Sequence, residues 1–210
     1  MVKHTKRMAL FAALILGVFF ITGAGVAPAE QPLGSHSWAE SINKPGLPNL
    51  FRVDGCLYRG AQPESTGFKE LEAMGIKTVI DLRWSHSEEA FMAQTKMSYV
   101  RIPLNAWKTS EKDIAQFLRV VMDPEKTPVF IHCLKGADRT GVMCAAYRTV
   151  VCGWTKEEAI REMKNGGFHF HNIWWNLIKV IEGLDVEAMR AKVGIKEIPD
   201  TRTCAPCASS

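Results

Sequence analysis

Cys133 and Arg139 are separated by five residues within PVFIHCLKGADRTG, residues 128–141. A cysteine is nucleophilic as its thiolate, and a thiolate needs a positive local field. An arginine six positions on offers a planar fork that matches two phosphate oxygens. Between them, Gly136 can take a positive φ and let the main chain approach an anion closely. Loop amides at a helix N-terminus then form a nest for the same anion. The stretch thus holds a nucleophile, Cys133, and a clamp, Arg139. It also holds a substrate-binding cradle in Leu134, Lys135, Gly136 and Ala137, with His132 just before it. Lys135, the only lysine in the loop, either draws polyanionic substrates or is simply solvated. Cys-x5-Arg by itself fits a buried cysteine and a solvated arginine equally well. The strand before the loop, the glycine inside it and the helix after it fill every role of a nucleophile with an oxyanion site.

The elements that must hold this loop are readable on both sides. Residues 128–132 form an apolar strand, and Gly141 to Cys152 a largely apolar helix. Upstream, Asp54-Gly55 between apolar runs predicts a short hairpin. Ser65 or Thr66 can cap a helix that runs to Met74 and ends at Gly75. Residues 77–82 and 97–104 read as strands, with a short helix at 87–94 between them. Ser110-x-x-Asp113 opens a capped amphipathic helix over 111–122, so Asp113 is a helix-start residue. Thr155-x-x-Glu158 opens another that ends at residues 165–167, and helices over 171–182 and 185–193 follow. Strands alternating with helices, then a helical half, predict an α/β fold with a mixed central sheet flanked by helices.

The 210 residues suit one domain, and composition is ordinary for a globular chain, 47% hydrophobic and 23% charged. Residues 1–29 differ. Lys3, Lys6 and Arg7 precede the uncharged run 8–26, and Ala27-Pro28-Ala29 follows, the layout of a secretory signal peptide. The 19-residue run is also long enough to serve as an N-terminal membrane anchor. Either way the expected location is extracytoplasmic, periplasmic or secreted. Without residues 1–29 the chain has 23 basic against 22 acidic residues, so its charge points to no nucleic-acid partner. Residues 30–50 read as a linker arm, 51–193 as the catalytic domain and 194–210 as a tail. Six cysteines allow disulfides in an exported protein. Cys204-x-x-Cys207 in the tail reads as a local disulfide or free thiols rather than a redox or metal centre. Cys144 reads as a core residue. His169 and His171 lack a third metal ligand.

HCLKGADRTG resembles the signature H-C-x5-R-[ST]-G of the protein tyrosine phosphatase superfamily, and the small size resembles its bacterial dual-specificity members. The resemblance extends from about Phe51 to Leu184. It implies that Cys133 attacks phosphorus to give a phosphocysteine, which water hydrolyses, while Arg139 holds the phosphoryl oxygens. It implies that Thr140 stabilises the thiolate and that His132 orients the loop and favours the thiolate. It implies no metal or organic cofactor.

Many members place an acidic aspartate on a separate loop, but here the equivalent residues 103–108, PLNAWK, carry no carboxylate. Asp138 is the leading substitute as general acid, resembling the myotubularin-type pattern; the alternative for Asp138 is a structural carboxylate. Asp81, at a strand end before Arg83, is a second candidate and reads more readily as structural. Trp107 can wall a pocket, while Trp174 and Trp175 read as packing a helix onto the core. The expected partners are phosphorylated protein, lipid or small-molecule phosphate esters. Two other functions compete, a non-catalytic phosphate-binding module and a rhodanese-type sulfur transferase. The intact Cys133, Arg139 and Thr140 disfavour the first, and the Arg-Thr-Gly ending disfavours the second.

Overall fold

The computed structural model describes residues 36–196. In chain order these form β1 (Glu40–Ser41), β2 (Phe51–Arg52), β3 (Leu57–Gly60), α1 (Gly67–Ala73), β4 (Thr78–Asp81), α2 (Glu89–Met92) and β5 (Ser98–Arg101). Then come α3 (Glu111–Val121), β6 (Val129–His132), α4 (Asp138–Val150), α5 (Lys156–Asn165), a 3-10 turn (Asn172–Trp174), α6 (Trp175–Gly183) and α7 (Val186–Val193). The expected signal or anchor at 1–29 and the Cys204/Cys207 pair lie outside the described residues. No helix among the described residues is long and apolar enough to cross a membrane.

The six strands form one mixed sheet in the order β1-β2-β3-β6-β4-β5. The first three pair antiparallel, β2 and β3 through the predicted hairpin, and β3, β6, β4 and β5 run parallel. Strand side chains alternate between faces, and the two cores follow that alternation. Ile80 and Ile131 join the core beneath α3 to α7, while Val79 and Phe130 join the core beneath α1. The mixed sheet flanked by helices is as expected. Parallel strands place their carboxyl ends together, where open α/β sheets gather ligand loops. Here Gly60, His132 and Asp81 are register partners, with Arg101 beside Asp81. The loops after β3, β4, β5 and β6 therefore meet at one edge.

Three expectations shift. Residues 36–50, read as part of a linker arm, are built into the fold. They supply β1, bury Leu47 and Leu50, and place Ala39 N–H 2.7 Å from Glu162 Oε1. The Pro, Gly and Ser content that suggested an arm serves tight turns, not a loose connection. Thr66 does sit at the N-cap of α1, but its side chain accepts no capping hydrogen bond. The helix predicted from Gly141 starts at Asp138, so Asp138, Arg139 and Thr140 form its first turn. By contrast, Ser110 with Asp113 and Thr155 with Glu158 both close full capping boxes, as their spacing predicts.

Candidate active site

The loop 133–137 leaves β6 and enters α4. The N-cap position of α4 is Ala137, whose side chain cannot cap, so the first-turn amides have no side-chain acceptor. Among the described hydrogen bonds none is donated by the main-chain amides of Leu134 through Arg139. These donors, with the positive end of the helix dipole, are what a phosphoryl anion requires.

Backbone close approach fixes the loop. Gly136 has φ +67°, and a Cβ there would sit 2.3 Å from Gly60 main-chain atoms at the end of β3. No other residue fits. Arg59, fully buried on β3, donates from Nη2 to Gly136 O at 2.7 Å, and its guanidinium lies 3.7 Å above the Phe168 ring. Asn49 Nδ2 donates to Lys135 O at 2.9 Å. Sequence reasoning missed both supports. For Arg59 a signal existed: it shares strand parity with buried Leu57, so it had to point inward and find a partner. Asn49 gave no such signal.

Cys133 is 3% exposed at the floor of a cavity of about 310 Å³. Its walls include Leu134, Lys135, Asp138, Arg139 and His171. The remaining loop residues lie behind this wall. His132, Gly136, Ala137 and Thr140 are buried and are not among the residues that line the cavity. The reason is the packing of the loop on β3, which turns Gly136 and Ala137 toward Arg59. Thr140 Oγ1 is buried without a hydrogen-bond partner, a free donor in the helix first turn. Arg139 Nη1 donates to Leu82 O at 3.4 Å, which aims the guanidinium along the end of β4.

His132 is fully buried. Its Nδ1 lies 3.2 Å from Cys133 O, and Nε2 lies 3.0 Å from Glu88 Oε2, an ion-pair distance without hydrogen-bond alignment. Glu88 also pairs with Arg83 at 2.9 Å, and Arg83 Nε and Nη2 donate to Asp81 at 3.0 and 2.9 Å. Burial pushes the Asp81 carboxyl up. The Arg83 side chain and amide, with His132 and Tyr99, outweigh it and hold the carboxyl below the usual range. Asp81 is thus an anchor and does not line the cavity, which removes it as an acid candidate. Asp81, Glu88 and His132 lie close enough to share a cation, but the Arg83 guanidinium already occupies the carboxylates.

Asp138 does line the cavity. Oδ1 accepts from His171 N–H at 2.8 Å, and Oδ2 lies 2.9 Å from His171 Nδ1. His171 was singled out in the sequence only as a weak metal ligand; its contact with Asp138 crosses 33 positions and has no local signature. Trp107 and Trp174 pack with ring centroids 4.8 Å apart beside the site. Trp174 lines the cavity as well as touching the core, and Trp175 is 60% exposed, so the expected core role fails for Trp175. Trp175 opens α6 at a position facing away from buried Leu177 and Ile181. Cys144 is a buried free thiol, pushed up to about 11 by burial, and is inert beside Cys133. Cys56 and Cys152 are each disulfide-bonded.

Residues 51–173 match the family described as DSP-PTPase phosphatase fused to NAD+ kinase. The dual specificity protein phosphatase TpbA of Pseudomonas aeruginosa is 30% identical over 194 residues, covering 92% of this chain and 88% of TpbA. The crystal structure of P. aeruginosa TpbA aligns with a TM-score of 0.68 over 76% of this chain and 98% of that one, at 30% identity. A cysteine-to-serine TpbA variant in complex with phosphotyrosine aligns equally well, at 30% identity and TM-score 0.68, over 77% and 98%. The core catalytic domain of the PP-IP phosphatase SIW14 from S. cerevisiae shares the fold at 20% identity, with a TM-score of 0.59 over 72% and 97%.

Proposed function

The chain belongs to the dual-specificity (DSP-PTPase) family of phosphatases, and from that premise we propose an exported enzyme that cleaves phosphomonoesters through a phosphocysteine at Cys133. As a family member it is a phosphoric monoester hydrolase, not a rhodanese-type sulfur transferase. The observation that carries the mechanism is the single cavity shared by Cys133 and Arg139 at the uncapped start of α4.

In the first step the Cys133 sulfur attacks phosphorus and the ester oxygen leaves. The free amides of the loop and the Arg139 fork hold the three equatorial oxygens as charge develops. Water then attacks the phosphocysteine, the P–S bond breaks and phosphate is released. The leaving oxygen needs a proton, and Asp138 is the carboxylate among the residues that line the cavity. His171 Nδ1, 2.9 Å from Oδ2, holds that carboxyl in the cavity, where it can hand the proton to the leaving oxygen. Thr140 Oγ1, buried and unpartnered, favours the thiolate released when phosphate departs.

Export is supported by the basic, apolar and small-residue order of residues 1–29, with cleavage after Ala29 or retention of 8–26 as an anchor. The disulfides at Cys56 and Cys152 support the same placement, because such bonds persist in oxidising compartments. The substrates are phosphorylated protein, including phosphotyrosine and phosphoserine or phosphothreonine, or lipid or inositol phosphate esters. The test is turnover of an aryl phosphate by the full chain and by Cys133→Ser. The variant should be inactive, and substantial residual turnover would sink the mechanism. A fraction-resolved blot of cells expressing the chain tests export, with recovery in the cytosol counting against it.

A further inference from the structure

A second cavity, of about 290 Å³, adjoins the catalytic one. The two share Ala106, Arg139 and Trp174 as lining residues. The second is walled by Trp84, Trp107, Trp174 and Leu104, and Arg139 is its one charged residue. Trp84 and Trp107 are 65% and 56% exposed, an unusual placement for indoles unless something covers them. Both sit on loops that leave the carboxyl ends of parallel strands, Trp84 after β4 and Trp107 after β5. Leu134 and Ile173, two more exposed apolar side chains, line the catalytic cavity itself.

We propose that this cavity receives the alkyl chain of an amphipathic phosphate monoester whose phosphate lies over Cys133. The proposal rests on the phosphatase reading of the neighbouring cavity and names its substrate class. Apolar walls with few polar groups are what an aliphatic chain requires. An extended peptide would also bring amides that need acceptors, and several of the nearby ones already take a hydrogen bond. Asn105 Oδ1 accepts from Trp107 N–H at 3.0 Å, Asn105 O from Lys108 N–H at 2.9 Å, and Ala106 O from Asn176 Nδ2 at 2.6 Å. Leu82 O and Trp84 O take hydrogen bonds from Arg139 and Arg101. Unmet peptide amides in this cleft are unfavourable, whereas a methylene chain asks for none.

The experiment measures kcat/KM of the full chain on a series from ethyl to octyl phosphate, below micelle concentrations, with a phosphotyrosyl peptide as a second arm. A chain entering the cavity raises kcat/KM about two- to fourfold per methylene, the upper figure being full burial of each. The octyl-to-ethyl ratio should fall about tenfold or more in Trp84→Ala and Trp107→Ala, and Trp107→Phe should restore most of it. A flat wild-type series overturns the proposal. So does a series in which both variants lower every ester by the same factor, or one in which only the peptide responds to the tryptophan changes. Turnover retained by Cys133→Ser would instead overturn the phosphatase mechanism, so the two failures are distinct.

Discussion

In the proposed mechanism Asp138, held by His171, hands the proton to the leaving oxygen. Asp138→Asn should lower turnover of alkyl phosphates by about 10²-fold or more, while aryl phosphates with good leaving groups lose far less. Equal losses on both would return Asp138 to a purely structural role. His171→Gln should lower kcat on alkyl phosphates more than it changes KM, since the imidazole acts through Asp138. At this scale the nucleophile and clamp were legible because Cys133, Gly136 and Arg139 carry their chemistry in residue type and spacing. The proton pair was only half legible. Asp138 sits inside the motif, but His171 reaches it only because the chain after α5 folds back over the start of α4.

Between elements, two buried charged groups hold the loop. Arg59→Met leaves Gly136 O without its donor and removes the cation from the Phe168 face, a loss of about 2–4 kcal/mol in denaturant unfolding. Phosphate protection should weaken in the same variant, because the cradle is no longer pinned to β3. The Asp81–Arg83–Glu88–His132 group gives a pH dependence. Folded Asp81 titrates below the unfolded carboxyl at about 3.9. Its stabilising contribution is therefore present above about pH 4 and is lost as pH falls through the lower folded value. Asp81→Asn should be less stable near neutrality and show a shallower fall in stability below about pH 4. A variant curve parallel to the wild type would show that Asp81 does not couple folding to protons. Helix starts such as Ser110 and Thr155 were legible because capping is local. The inward-facing Arg59 depends on Gly136, distant in sequence, and the two-residue strand at 40–41 has no periodic signal, so composition alone misread it as an arm.

Across the molecule, four parallel strand ends converge on one edge, so loops remote in sequence form a single active face. The α/β class was legible from the alternation of strands and helices. Of the aromatic rim only Trp107 was legible, as a pocket wall, because Trp84 and Trp174 join it from segments distant in sequence. Cys56 and Cys152 are each disulfide-bonded, and Cys56→Ser or Cys152→Ser should lower stability by about 2–5 kcal/mol under oxidising conditions. No difference from wild type in non-reducing melts would show that these bonds do not stabilise the fold. The central claim is that Cys133 carries the phosphoryl group between two half-reactions. Rapid acid quench of the full chain during turnover of an aryl phosphate, followed by peptide mass spectrometry, tests it directly. One phosphoryl group is expected on Cys133 within the 129–139 segment, and none in Cys133→Ser. Steady turnover with an unmodified Cys133 at every quench time, in wild type and in a variant slowed at Asp138, would contradict it.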